Sequence, residues 1–263
     1  MKNYTNRKNR RNKGVILFLV VILHLAVAIA QKPIDKIPAS DKSNATYTIT
    51  KLKKAIRIDG NWNKAPWNSV NPIELTYYMG EIPRFRPTVH AKMMYDDENI
   101  YIIFQVKDRY IHCIIQDYNG PVYQDACVEF FFSPDTDFPE NYFNLEINCG
   151  GTPLMGYSDH SKKRSVLVDS NDIKKIEIVH SLPRKVDPEI TKPVTWTIEY
   201  KIPLALLEKY TTLTAPKYGV TWRANFYKIA EKGNNPHYIT WSFVDNVKPN
   251  FHLPQFFGIL KFQ

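Results

Sequence analysis

The sequence contains little cysteine: Cys113, Cys127 and Cys149 are the only three cysteines in 263 residues. An odd number cannot pair fully within one chain, and no C-x-x-C or Cys/His spacing typical of a structural zinc site accompanies them. A chain of this length can bury a core without cross-links. The sequence therefore excludes a disulfide-framed mini-protein and favours an ordinary globular domain.

Basic runs are also scarce after residue 30. Residues 1–13 hold six lysines and arginines and no acid, and residues 14–30 are apolar except for His24 and end in Ala-Ile-Ala. This order of segments predicts a cleaved secretory signal peptide over residues 1–30, with an uncleaved membrane anchor as the alternative. We therefore expect a secreted, periplasmic or extracellular protein with no membrane contact after cleavage.

Removal of this segment changes the charge of the protein. The formal net charge of +9 falls to +3 on residues 31–263. Most of the excess positive charge therefore belongs to the predicted targeting segment, and it gives no reason to expect a nucleic-acid partner. The oligomeric state stays open.

Helical periodicity is nearly absent. Only residues 203–210 look helical, whereas short alternating apolar segments separated by turn residues recur along the chain. Many short strands with almost no helix predict an all-β fold, an antiparallel β-sandwich of jelly-roll or immunoglobulin-like type. Residues 31–46 are predicted as a linker, residues 47–263 as one domain, and the weakly patterned residues 150–193 as long loops.

One predicted strand carries an ionisable residue in an apolar setting. Residues 124–132 read QDACVEFFF, and residues 142–149 read YFNLEINC. Because side chains alternate across a strand, the valine and two of the phenylalanines share one face and leave Glu129 on the other. A hairpin that joins the two apolar faces places Glu129 near Asn144 and Glu146.

This second face suits a sugar. Carboxylates and amides supply partners for hydroxyl groups, and aromatic rings pack against the apolar faces of a pyranose. The alternative is a polar outer face with no ligand. In both cases we expect Glu129 on a solvated face, so that its removal costs little stability. The same alternation disfavours a Cys127–Cys149 disulfide unless a bulge intervenes.

Several stretches together resemble carbohydrate-binding module family 9. They follow the order of the family's motifs, span about residues 47–263, and read IDGNWNKAPW (58–67), MMYDDENIYIIFQVKD (93–108), QDACVEFFFSPD (124–135), NYFNLEIN (141–148), TWRANFYK (221–228) and PNFHLPQFFGILKF (249–262). The resemblance implies a stand-alone β-sandwich that binds the end of a sugar chain between two aromatic side chains, often with bound calcium and without catalysis.

The resemblance also implies site residues. Glu129 falls on the family's sugar-bonding glutamate, and Asn144 and Asn225 fall on polar binding positions of later strands. Phe251 falls on one clamp aromatic and Tyr123 lies near the other, where better-known members have tryptophan. With two neighbours of these residues added, the predicted ligand-binding set is Tyr123, Glu129, Asn144, Glu146, Asn225, Trp241 and Phe251.

A metal site has less support. Asp96 and Asp97 could supply oxygen ligands to calcium, but a hairpin turn explains the same two residues without a metal. The predicted function requires no cofactor.

Three other functions stay open. Glu129 and Glu146 as cross-strand neighbours would lie about 5 Å apart, which a retaining glycosidase would accept, but no other hydrolase motif accompanies them. Met93, Met94 and several histidines could ligate a haem, although alternation places one methionine in the core. A purely structural sandwich needs no ligand. The favoured interpretation is a secreted, non-catalytic protein that binds an oligo- or polysaccharide and supports its breakdown by separate enzymes.

Overall fold

The computed structural model describes residues 45–263, so the predicted signal peptide and nearly all of the predicted linker lie outside the described residues. Two short helices, α1 (Ser170–Ile173) and α2 (Leu204–Leu207), accompany the strands. The strands are β1 (Thr46–Lys51), β2 (Ile73–Leu75), β3 (Tyr77–Tyr78), β4 (Thr88–Tyr95), β5 (Asn99–Asp108), β6 (Ile111–Cys113), β7 (Cys127–Ser133), β8 (Tyr142–Asn148), β9 (Pro153–Asp159), β10 (Arg164–Leu167), β11 (Glu177–His180), β12 (Val186–Ile190), β13 (Val194–Pro203), β14 (Thr221–Ala230), β15 (His237–Thr240) and β16 (Gly258–Phe262).

The strands form a β-sandwich, as the sequence predicts. One layer, here the site layer, runs in the order β10-β9-β8-β7-β14-β16, with β15 also paired to β14. The other layer runs β4-β5-β13-β11, with β2 beside β4. Strand β1 joins the two layers because its first residues pair with β16 and its last two with β4, in both cases in parallel. The other neighbours within these layers are antiparallel.

Aromatic side chains fill the space between the layers. Phe226 of β14 contacts Phe130 of β7 at 4.8 Å and Phe104 of β5, in the opposite layer, at 5.9 Å between ring centroids. All three are fully buried, and each such side chain stabilises the fold by about 1.5–3 kcal/mol. Trp67, Trp196 and Trp222 are buried as well.

The IDGNW motif, residues 58–62, binds a loop to the layer that contains β13. The carboxylate of Glu199, on β13, accepts hydrogen bonds from the backbone amides of Asp59 and Gly60 and from the Trp67 indole N–H. Lys64 completes the set with an ion pair to Glu199 at 2.9 Å. Gly60 has a φ of 74°, which a side chain would strain. The motif is therefore explained by packing and not by a ligand.

Two parts of the sequence prediction are wrong. Residues 150–193 are not mainly loops, because β9, β10, β11 and β12 lie within them. The helix α1 also lies there, whereas the predicted helix over residues 203–210 is reduced to α2. Proline and glycine break the alternating pattern of β9 and β12, and this is why the sequence gives no clear strand signal there.

The cysteines and methionines lie in the interior. Cys113, Cys127 and Cys149 are free thiols, and Cys127 and Cys149 belong to separate clusters on opposite faces of the site layer. Met93 and Met94 are both buried, one in the main core and the other in the cluster around Trp67. In residues 45–263 no helix is long and apolar enough to cross a membrane.

Candidate functional site

A cleft opens on the outer face of the site layer, away from the main core. It has a volume of about 230 Å³ and is called the first cleft below. Its lining residues come from β7, β8, β14, β15 and three loops, and they are Tyr123, Glu129, Phe131, Glu146, Ile229, Glu231, Tyr238, Pro249, Asn250, Phe251 and His252. Three carboxylates and several aromatic rings thus surround one small space.

The register of β7 with its neighbours creates the base of this cleft. Glu129 lies opposite Glu146 of β8 on one side and Tyr227 of β14 on the other. Phe131, two residues along β7, faces the same way as Glu129 and contacts the Tyr227 ring at 5.0 Å. Alternation along β7 is therefore as predicted, with Phe130 and Phe132 in the main core and Glu129 facing the cleft.

Loops cover most of this face, which corrects one expectation. Glu129 is only 2% exposed and Glu146 only 4%, so neither lies on a solvated face. Residues from the segments before β7 and after β15, among them Val122, Val244 and Phe251, belong to the same apolar cluster as Phe131 and Tyr227. Removal of Glu129 would therefore disturb a buried environment, and its effect on stability would not be small.

Burial dominates the electrostatics of the two glutamates. It raises the pKa of Glu146 to about 7, with the nearby Glu231 adding to the rise and a hydrogen bond from Asn144 opposing it. Burial also raises the pKa of Glu129, and the adjacent Glu146 raises it further. Two adjacent carboxyl groups in a poorly solvated site cannot both be charged without a large cost, so the pair favours retention of a proton near neutral pH.

One oxygen of this pair lacks a partner. Glu146 Oε1 accepts a hydrogen bond from Asn144 Nδ2 at 3.0 Å, whereas Glu146 Oε2 is buried and has no hydrogen-bond partner among residues 45–263. A buried acceptor without a partner costs free energy. A donor on a bound molecule would remove that cost.

Aromatic rings form the wall of the cleft. Phe251 stacks on Tyr227 with 4.0 Å between ring centroids and meets the edge of Tyr238 at 6.1 Å. Tyr123, in the loop before β7, lines the same cleft. Tyr123 and Phe251, predicted as the two clamp residues, thus border one space.

The loop that carries Tyr123 is fastened by Asp125. Its carboxylate accepts hydrogen bonds from the backbone amides of Ile114 and Ile115 and from Asn148 Nδ2, at 2.9–3.1 Å. Asp125 is 1% exposed, so these bonds are shielded from water. The carboxylate joins the beginning of the loop to its end and so fixes the wall of the cleft.

Comparison with known families shows the family to which the chain belongs. The family described as carbohydrate-binding family 9 matches residues 61–262, most of the described chain. The chain belongs to carbohydrate-binding family 9. This confirms the family inferred from the sequence motifs. A comparison with curated proteins finds no match.

Solved structures with the family 9 fold are similar to this chain. A candidate carbohydrate-binding protein from Bacteroides uniformis ATCC 8492 shares 26% identity with a TM-score of 0.75, over 84% of this chain and 100% of its own. A family 9 module from Caldicellulosiruptor kristjanssonii in complex with cellotriose shares 17% identity with a TM-score of 0.55, over 83% and 94%. A family 9 module from the same organism in complex with glucose shares 17% sequence identity with a TM-score of 0.54. The match covers 83% of this chain and 96% of the module. At 17% identity the last two show the fold alone.

Three of the predicted family 9 site residues lie outside the first cleft. Asn144 lines a neighbouring cleft and contacts Glu146. Asn225 is fully buried, and its amide is engaged with the backbone N–H and C=O of Ser242. Trp241 packs against Phe226 in the main core. Asn225 of β14 and Trp241, which follows β15, therefore support the layer beneath the first cleft, because both face covered surfaces.

The two aspartates considered for calcium have other partners. Asp96 Oδ1 accepts hydrogen bonds from the amides of Glu98 and Asn99, and its Oδ2 accepts one from the Tyr101 hydroxyl. Asp97 forms an exposed ion pair with Lys51. These contacts are those of a hairpin turn. Across residues 45–263 no group of three or more His, Cys, Asp or Glu side chains is arranged to hold a metal ion.

Four polar residues of the first cleft lie outside the predicted ligand-binding set. Tyr238, Glu231, Asn250 and His252 line the first cleft, but none was predicted to bind. Tyr238 could have been found, since it pairs with Ile229 on the face that carries Tyr227. The other three lie in loops, whose path does not follow from strand alternation.

Proposed function

We propose that this family 9 protein binds the end of a carbohydrate chain in the first cleft and does not cleave it. A sugar ring lies between Tyr123 and Phe251, and its hydroxyl groups bond to Glu129 and Glu146. The observation that carries the proposal is the buried, unpartnered Oε2 of Glu146 beside an aromatic wall. A sugar hydroxyl is a donor of the right size for that oxygen, and the rings match the apolar faces of the sugar.

The similar structures support this choice of ligand. Two of them contain cellotriose or glucose, so the shared fold accommodates a sugar chain. We further propose that the protein is exported and acts beside separate enzymes that degrade polysaccharides. Neither part of the proposal needs calcium, and EDTA should leave the sugar affinity of the protein unchanged.

Isothermal titration calorimetry at pH 8 tests the proposal. Glucose, cellotriose and a panel of plant, algal and host oligosaccharides are titrated into the purified protein. For the sugar that binds, Glu146→Gln should weaken binding about 10- to 100-fold, since a hydrogen bond to a charged group contributes about 1.5–3 kcal/mol. Phe251→Ala should weaken binding by about tenfold or more through loss of stacking.

Two matched variants serve as controls. Glu177→Gln changes an exposed glutamate of β11 in the opposite layer, and Tyr218→Ala removes an exposed ring outside the first cleft. Both should bind like the wild type. If no sugar of the panel binds, or if the cleft variants bind as well as the controls, the proposal is wrong.

Hydrolysis is the competing function, because Glu129 and Glu146 are adjacent carboxyl groups with raised pKa values. Incubation with mixed polysaccharides should release no reducing sugar. Release that disappears in Glu129→Gln would show an enzyme instead of a binding protein.

A further inference from the structure

A second cleft lies beside the first on the outer face of the site layer. Its volume is about 480 Å³, and its lining includes Tyr142, Asn144, Ser158, Ser165, Leu167 and His252. His252 also lines the first cleft, so the two clefts meet at this residue. The Tyr142 hydroxyl and His252 Nδ1 are 2.9 Å apart and form the boundary between the clefts.

The lining of the second cleft is polar in the way that a sugar requires. Ser158 of β9 and Ser165 of β10 share a hydrogen bond of 3.0 Å between their hydroxyl groups. Asn144 of β8 donates a hydrogen bond to Glu146 of the first cleft, so this hydrogen bond links the linings of the two clefts. Leu167 is 59% exposed and offers an apolar surface at the edge. Hydroxyl, amide and apolar groups thus continue from the first cleft into the second.

Gly156 keeps this surface open. It pairs with Asn144 across β8 and β9, and a Cβ atom at residue 156 would lie 2.6 Å from Asn144 Oδ1. Any side chain would displace the amide of Asn144 from its position. The absence of a side chain at residue 156 therefore preserves both the space and the Asn144 to Glu146 hydrogen bond.

The first cleft is acidic, and basic residues lie beside the second. The first contains Glu129, Glu146 and Glu231. The second ends at the turn between β9 and β10, residues 159–164, called the basic hairpin here. Lys163 and Arg164 of this hairpin border a hollow that shares His160 and Ser165 with the second cleft.

Two of the three lysine and arginine residues of the hairpin are available for a ligand. Asp159, the acid of the same turn, is engaged by Ser161 and by Lys162, whose Nζ lies 3.1 Å from it. Lys163 and Arg164 are exposed and form no ion pair with any residue of the 45–263 segment. An anionic group would be repelled by the glutamates of the first cleft and attracted by this hairpin.

From this arrangement we propose that the ligand is an anionic oligosaccharide that occupies both clefts. Its uncharged terminal sugar lies in the first cleft, and a following sugar carries a carboxylate or sulfate group in the second cleft, against Lys163 and Arg164. This inference rests on the proposed function and adds the class of sugar and the direction of the chain.

Calorimetry with paired oligosaccharides tests this inference. One pair is a xylotetraose that carries glucuronate on an internal xylose, so that its terminal xyloses are uncharged, and its carboxyl-reduced form; the other is a sulfated carrageenan tetrasaccharide with an unsulfated terminal sugar and its desulfated form. At least one anionic member should bind about tenfold or more tightly than its uncharged partner at low salt, and added NaCl should reduce the difference. The pair that shows the difference identifies carboxylate or sulfate.

A double variant locates the effect. Lys163→Gln/Arg164→Gln should remove most of the anionic advantage and leave the affinity for the uncharged partner unchanged. Lys53→Gln/Lys54→Gln removes the same charge from an exposed segment outside both clefts and should change neither affinity. Equal loss in both double variants would indicate attraction to net charge only and would overturn the inference.

The remaining outcomes separate this inference from the proposed function. If neutral sugars bind, Phe251→Ala abolishes their binding, and neither anionic probe gains affinity, the first cleft is confirmed and the anionic ligand is wrong. If neither charged nor uncharged sugars bind, both proposals fail.

Discussion

At the scale of the residue, Glu146 shows how a fold changes the chemistry of a side chain. Its carboxyl group lies under loops, beside Glu129, and only one of its two oxygens has a hydrogen-bond partner within residues 45–263. The sequence correctly predicts that these two glutamates are neighbours. It does not predict their burial, because the residues that cover them, such as Phe251, come from distant loops.

Burial of Glu146 gives the protein a pH-dependent stability. Its pKa rises from 4.5 to about 7 in the folded state, so the folded protein binds a proton that the unfolded chain releases between those values. The contribution of Glu146 to stability should therefore be complete below about pH 4.5 and should be lost as the pH rises through about 7. Glu146→Gln stays neutral and should lack this part of the fall, about 1–3 kcal/mol.

Urea denaturation at pH 5 and pH 8 measures this effect. The difference in free energy of unfolding between the two pH values should be smaller in Glu146→Gln than in the wild type. Glu177→Gln, in which an exposed glutamate is changed, should keep the wild-type difference. An unchanged difference in Glu146→Gln would show that Glu146 does not titrate as described.

At the scale of the element, strand alternation was the most informative property of the sequence. It correctly placed Glu129 opposite Glu146 and separated Cys127 from Cys149. Alternation failed where a chain segment is short or irregular, as in β12, which contains Pro188, and it says nothing of loops. The loop that carries Tyr123 forms one wall of the first cleft, and we expect its position to depend on the Asp125 carboxylate that binds the beginning of the loop.

Asp125→Asn tests that dependence. In the variant, an NH₂ group of asparagine replaces one of the two acceptor oxygens of the carboxylate. This NH₂ group cannot accept a hydrogen bond from the N–H groups of Ile114, Ile115 and Asn148 that point at it. We expect a loss of about 1–3 kcal/mol in stability and a weaker affinity for sugar, because Tyr123 is no longer fixed. Hydrogen exchange should show lost protection at the amides of Ile114 and Ile115.

The exposed Asp187, which pairs with Lys185, provides the control for this substitution. Asp187→Asn should leave both hydrogen exchange near Tyr123 and sugar affinity unchanged. If Asp125→Asn binds sugar normally, the loop does not need this carboxylate to form the wall.

At the scale of the whole molecule, strand β1, apolar packing and a buried polar network join the two layers. Lys228 of β14 donates to the backbone oxygen of Ile229, to His237 Nε2 at 2.7 Å, and to Asp108 of the opposite layer at 3.2 Å. His237 Nδ1 donates to the Asn235 carbonyl, which leaves Nε2 as the acceptor. Burial lowers the pKa of His237 to about 3, so the ring stays neutral and Lys228 and Asp108 form the ion pair.

Lys228→Met should therefore destabilise the sandwich by about 3–5 kcal/mol, because Asp108 is then a buried charge without a counterion. The cost comes from the unpaired charge more than from the loss of attraction, so the double variant Lys228→Met/Asp108→Asn should be more stable than the single one. Urea denaturation of the wild type and both variants at pH 7 measures these differences. Lys201→Met, which breaks a half-exposed pair with Glu177 on the second layer, should cost less than about 1 kcal/mol. A double variant no more stable than Lys228→Met would mean that this network joins the layers through the lysine contacts themselves and not through charge balance.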